Sequence, residues 1–148
     1  MRHFLQGKYQ PRNPEKYVGD YTDIVFRSSW ERAVMVLFDQ NPSILRWSSE
    51  TIVIPYVSPV DGRKHRYFMD FWAEVKQHDG SKKIFLIEVK PKSQTRPPKR
   101  TKRKKEEVFL TEVRTWSVNR AKWKAAEEYC KQRGWEFKIW TEDQIQPK

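Results

Sequence analysis

A chain of 148 residues is most simply one domain, 1–148, with room for a real core and little for a second. Seven tryptophans, six tyrosines and eight phenylalanines exclude wholesale disorder, and no apolar run approaches the ~18 residues of a membrane span. The formal net charge of +11 and pI of about 9.8 point to a polyanionic partner, nucleic acid before a membrane surface.

The N-terminus lacks a signal-peptide core, and the single Cys130 excludes an internal disulfide framework and fits a reducing interior. Three scattered histidines (His3, His65 and His78) with that one cysteine make a poor zinc set.

Residues 1–23 are polar, with Pro11, Pro14 and Gly19, and read as an arm that lies over the domain or projects from it. A first helix is expected from Trp30 to Asp39, with Trp30, Val34, Leu37 and Phe38 on one stripe and Asn41-Pro42 ending it. Residues 51–57 form a first strand, in which Pro55 marks an edge or a bulge. The turn Pro59-Val60-Asp61-Gly62 leads into a second strand at 65–75, and a third follows at 83–90. Residues 91–105 differ in kind, carrying eight basic side chains and no acidic one, and read as a loop able to fold over a ligand. Helix resumes near Glu106. Trp116-Ser117-Val118-Asn119 suggests a break, with Asn119 capping a helix that ends at Gly134. Residues 135–140 alternate as a last strand, and Thr141 with Gln144 fits the cap of a short final helix. The expected order is α-β-β-β-α-β, an antiparallel meander joined by its last strand through a helical crossover. That is a mixed-sheet α/β (α+β) fold.

Two strands carry misplaced acids. Alternation in Ile84-Phe85-Leu86-Ile87-Glu88-Val89-Lys90 puts Leu86, Glu88 and Lys90 on one face, and Asp70 interrupts the apolar Tyr67–Trp72 run. An ion in a core strand costs several kcal/mol, roughly, unless it is paired or metal-bound. A hairpin turning at His78-Asp79-Gly80 makes Asp70 and Glu88 neighbours. Paired acidic oxygens suit a hard cation such as Mg²⁺ or Mn²⁺, and a nearby lysine can position a water. The plainer alternative for Glu88 and Lys90 is a surface cross-strand ion pair.

Asp70 followed 18 positions later by Glu88-Val89-Lys90 resembles the PD-(D/E)xK nuclease signature, and the element order resembles that family's restriction-endonuclease-like core. Members often carry a further glutamate on the helix before the sheet, which Glu31 matches. Glu31 also completes the capping box Ser28-Ser29-Trp30-Glu31. Met69 stands where the motif has proline, a shape-giving residue without chemistry. Across nearly the whole chain, Gly7-Lys8-Tyr9, Lys16–Asp20, Arg27–Glu31, Tyr67–Trp72, Glu88–Pro91 and Asn119–Ala126 are similar to the head-completion proteins of large contractile-tail bacteriophages. Those proteins act after genome packaging and before tail attachment. The endonuclease subunit of heteromeric bacterial transposases shares the core motif.

What the resemblance implies is a metal-dependent DNA phosphodiesterase. Asp70, Glu88 and the Val89 carbonyl would hold Mg²⁺ or Mn²⁺, Glu31 a second ion or its water, and Lys90 would orient the attacking water. Arg63, Lys64, Arg66, Lys92, Lys99, Arg100, Lys102, Arg103, Lys104 and Lys105 would grip the phosphate backbone with weak sequence preference. Expected partners are DNA and the phage portal, capsid or neck proteins, with no membrane. The expected location is the host cytoplasm during assembly and the virion head. Two rivals share the fold: a connector that binds the DNA end with an idle site, and a repair or junction-resolving nuclease, which would need two sites on a dimer.

Overall fold

A computed structural model describes residues 6–145, so the first five residues of the arm, His3 among them, lie outside the described residues, as do 146–148. From residue 6 onward the arm lies over the domain. Strand β1 (Gly7–Lys8) pairs antiparallel with β2 (Val25–Phe26). A Cβ on Gly7 would come within 3.1 Å of the Phe26 ring, which would have to give by a few tenths of an ångström.

Helix α1 (Ser29–Gln40) starts where Ser28 Oγ accepts the Glu31 N–H at 3.1 Å. Its buried residues are Val34, Met35, Phe38 and Asp39, while Leu37 is 42% exposed, so the expected stripe is turned toward Asp39. The cause is the arm. Asp39 accepts the Tyr9 hydroxyl at 2.6 Å, the Arg12 N–H at 2.7 Å and the Asn13 N–H at 2.9 Å. Lys16 Nζ meanwhile donates to the carbonyls of Phe38, Asp39 and Asn41, satisfying the open C-terminal end of α1.

Burial alone would raise the Asp39 carboxyl, but the hydrogen bonds from Tyr9, Arg12 and Asn13 outweigh it and hold it below the usual range. Because the folded value lies below the unfolded one, this stabilisation is present above the unfolded value and is lost as pH falls through the folded one. Asp39→Ala should therefore cost about 3 kcal/mol at neutral pH, through three orphaned donors, and much less in strong acid. Urea melts at the two pH values check this; equal losses at both would sink it.

Strand β3 (Ile44–Ser49) was not expected from the sequence. Its pattern is masked by Arg46, Ser48 and Ser49, and a bulge between Ile44 and Arg46 shifts the register. Strands β4 (Val53–Val57) and β5 (Lys64–Phe68) form a separate two-stranded ribbon, where Pro55 costs no internal ladder bond. The expected single strand at 65–75 is thus two, because the chain leaves the ribbon at Met69-Asp70 and continues as β6 (Phe71–Lys76) in another sheet. Strand β7 (Lys82–Val89) follows β6 through a turn in which Gly80 adopts φ +86°.

Helix α2 (Glu106–Arg133) is continuous through 116–119. Asn119 is not a cap but the first member of the buried stripe Asn119, Trp123, Ala126 and Cys130. Trp116 packs edge-on against Trp123 at 6.0 Å. Tertiary burial outweighs propensities that differ by well under ~1 kcal/mol per residue. After Gly134 closes the helix at φ +72°, β8 (Glu136–Trp140) joins the sheet, and α3 (Glu142–Ile145) follows. Thr141 caps it as expected, its Oγ accepting the Asp143 N–H while its own N–H donates to Gln144.

The main sheet has the order β3-β6-β7-β8, antiparallel except for the parallel β7–β8 pair made by the α2 crossover. Its two faces bury two cores. One gathers α1 residues with Trp47, Phe71, Ala73 and Ile87. The other gathers Leu86 with Ile54, Tyr67, Met69 and the α2 stripe. Among the described residues no helix is long and apolar enough to cross a membrane.

Candidate active site

The register Phe71↔Ile87 makes Asp70 and Glu88 the next pair across β6 and β7, at the end of the sheet where the chain switches to the ribbon. Val89 N–H donates to Asp70 Oδ2 at 2.8 Å. Glu88 is 5% exposed, and its Oε1 accepts the buried Tyr67 hydroxyl at 2.8 Å. Lys90 Nζ stands 3.8 Å from Glu88 Oε2, with its side chain only 27% exposed. This is no surface ion pair.

Part of Asp70 reaches solvent, but protein encloses its carboxylate. Burial, then the charge of Glu88, pushes the Asp70 carboxyl well above the usual range; the Val89 N–H pulls the other way, and Glu31 adds to the rise. Two acids held so close in so dry a place have one positive charge beside them, Lys90, and so remain one short. A divalent cation supplies it, and hard carboxylate oxygens are its preferred ligands. The pair and its surroundings therefore fit Mg²⁺ or Mn²⁺. Of Val89, it is the N–H rather than the carbonyl that the structure ties to Asp70.

Glu31 stands differently. Among the described residues no group of three His, Cys, Asp or Glu side chains is gathered to hold a metal, so Glu31 does not join the pair in a ready-made cage. It belongs to α1, which packs on the opposite face from Leu86, and by alternation from Glu88. Its Oε1 accepts the Arg27 N–H at 3.0 Å, one residue before the cap, in a shifted capping box. Burial raises its carboxyl, Arg27 opposes, and Glu50 and Glu88 add to the rise, so it still feels the site's charge. Glu31→Gln separates cap from chemistry. A cap role preserves cleavage, since Gln also accepts the Arg27 N–H, whereas a role at the metal loses cleavage with melting temperature unchanged. We expect the second outcome, with a loss of about 10-fold or more in Mg²⁺-supported rate. Wild-type cleavage would remove Glu31 from the site.

The basic side chains divide. Arg63, Lys64 and Arg66 are exposed on the ribbon, with the Arg66 guanidinium 5.5 Å above the Phe68 ring. Lys99, Arg100, Lys102, Arg103 and Lys105 are exposed along the loop. Lys92 is tied to α3, its Nζ 3.0 Å from Asp143 and its N–H donating to Glu142. Lys104 pairs with Glu112 at 2.6 Å and is 20% exposed. Those two already have acidic partners within the protein. A cleft of about 600 Å³ opens between this loop and α2, lined by Arg96, Lys99 and Trp116 among others, and neither Asp70 nor Glu88 lines it.

Two residues went unread in the sequence. Tyr67 could have been found, since period two from Met69 puts it on the buried side of its strand. Lys122, whose Nζ lies 5.5 Å over the Tyr67 ring and 5.9 Å over that of Tyr56, gave no local signal.

Residues 41–142 match the family described as TnsA-like endonuclease N terminal. The chain is also 46% identical over 142 aligned positions to the head completion nuclease of Enterobacteria phage T4, covering 93% of this chain and 91% of that protein.

Proposed function

This chain belongs to the TnsA-like endonuclease family, with its restriction-endonuclease-like fold, and from that premise we propose a Mg²⁺- or Mn²⁺-dependent DNA phosphodiesterase of phage head completion. The observation that carries the reading is the buried Asp70–Glu88 pair with Lys90 beside it.

Asp70 and Glu88, with the Val89 carbonyl, hold the cation. When bound it supplies charge stabilisation for the displaced oxygen and a hydroxide-like nucleophile at neutral pH. Lys90, already close to Glu88, orients the attacking water and steadies negative charge on the phosphate. Tyr67 fixes the Glu88 rotamer through its hydroxyl, and the Val89 N–H fixes Asp70. Glu31 serves a second ion or its water. Arg63, Lys64 and Arg66 with the exposed loop cations bind the phosphate backbone, contacts that carry no base information, so sequence preference is weak. The protein acts in the host cytoplasm during head assembly and remains in the virion head, with portal or neck proteins as its partners.

The test is incubation of pure protein with supercoiled, linear and single-stranded DNA, with and without Mg²⁺ or Mn²⁺. Cleavage that needs the metal and vanishes in Lys90→Ala is expected. Binding without cleavage under every condition would favour a connector with an idle nuclease fold.

A further inference from the structure

Hydrogen bonds outside the acidic pair join its supports. The Arg27 main-chain N–H donates to Glu31 Oε1 at 3.0 Å. Arg27 Nη1 donates to both carboxylate oxygens of Glu50, each at 2.6 Å. The Glu50 N–H donates to the Asp70 carbonyl at 3.1 Å. Together they run from the start of α1 to the Met69-Asp70 break, which are the two separate elements that carry Glu31 and Asp70.

Glu50 is also strained. At φ +58° it is the one non-glycine in the left-handed region among the described residues, where Cβ crowds the following carbonyl. Glycine or asparagine is the ordinary choice at such a turn. The Arg27 and Glu50 side chains are 54% and 38% exposed, so their ion pair contributes little to stability. A strained residue whose carboxylate makes a solvent-exposed ion pair, placed beside a site, has its explanation in that site.

We propose that Arg27 and Glu50 are a positioning pair, which fixes the Glu31 carboxylate relative to Asp70 so that an arriving divalent cation meets acids already set in place. The inference rests on the nuclease reading. Arg27 acts through Glu31 and Glu50 and need not touch the substrate. Its guanidinium also brings positive charge close enough for Glu31 and Asp70 to raise its pKa, after the larger effect of Glu50 itself.

Glu50→Gly is the informative substitution, because glycine accepts the turn conformation while removing the carboxylate. Mn²⁺ binding is followed by titration calorimetry, alongside cleavage rate, DNA affinity and melting temperature. Expected for Glu50→Gly is Mn²⁺ affinity weakened about 10-fold and cleavage slowed at least as much, with DNA affinity unchanged and the melting temperature within a few degrees. Arg27→Met should match it, the double variant should lose little more, and Arg27→Lys should recover most of the loss. A merely structural pair would lower the melting temperature and leave Mn²⁺ affinity alone. Unchanged Mn²⁺ affinity in Glu50→Gly, beside a wild type that binds Mn²⁺ and cuts DNA, overturns this inference only. A wild type that neither binds Mn²⁺ nor cuts DNA overturns the nuclease reading and this inference with it.

Discussion

Asp70→Asn should abolish Mg²⁺-supported DNA cleavage and yet leave the metal-free protein more stable near neutral pH. The loss of rate should be at least about 10³-fold, because a metal's several kcal/mol of transition-state stabilisation disappears at ~1.4 kcal/mol per tenfold. The gain in stability follows from the enclosed carboxylate, raised by burial and by Glu88. A folded value above the unfolded one means that folding favours the protonated acid. That preference is complete below the unfolded value and is lost as pH rises through the raised one. Above the unfolded value, folding the metal-free wild type must either protonate this acid or keep it ionised in a dry pocket, and Asn, still able to accept the Val89 N–H, meets neither cost. A melting temperature about 2–5 °C above wild type is expected, shrinking toward pH 4. Adding Mn²⁺ should raise the wild-type melting temperature and barely move the variant's. A variant less stable than wild type at pH 8 would show that Asp70 has a structural partner rather than an electrostatic deficit.

The second large effect belongs to the loop. Changing Lys99, Arg100, Lys102, Arg103 and Lys105 to Gln should weaken DNA binding for all sequences alike, by up to about 10³-fold at physiological salt. The slope of log K against log salt should flatten by at most ~4.5, at about 0.9 for each phosphate no longer neutralised. Lys104 is left in place because its pairing with Glu112 is part of the loop's structure. Cleavage at saturating DNA should be largely retained, since none of the five touches Asp70 or Glu88. Fluorescence anisotropy across a salt series measures both quantities. An unaltered slope would show that the loop is only solvated, or contacts a protein partner in the capsid instead of DNA.

Much of this protein is legible in its sequence because much of it is local. The cap at Ser28, the end of α1 at Asn41, the glycine closing α2 and the alternation of β8 are each set by residues within a few positions of one another. The acids of the site were legible for a related reason: an ionised group in an apolar strand is anomalous whatever its surroundings, and Asp70 and Glu88 are one hairpin apart.

What only the tertiary structure decided involves partners distant in sequence. Arg46, Ser48 and Ser49 hide β3, which exists because β6 offers it a ladder. The Trp116–Asn119 segment stays helical because Trp116 packs on Trp123 and Asn119 is buried, and Leu37 faces outward because the arm claims Asp39 for the inside. The break at Met69-Asp70, which the apolar residues on both sides of Asp70 do not betray, comes from β5 and β6 pairing in different sheets. It puts Asp70 at the open end of the main sheet instead of in mid-strand. Whether Glu31 serves its helix or the metal was equally beyond the sequence, because a capping box and a site glutamate use the same residue at the same spacing. Only the placement of α1, of Arg27 and of Glu50 gives that carboxylate its setting.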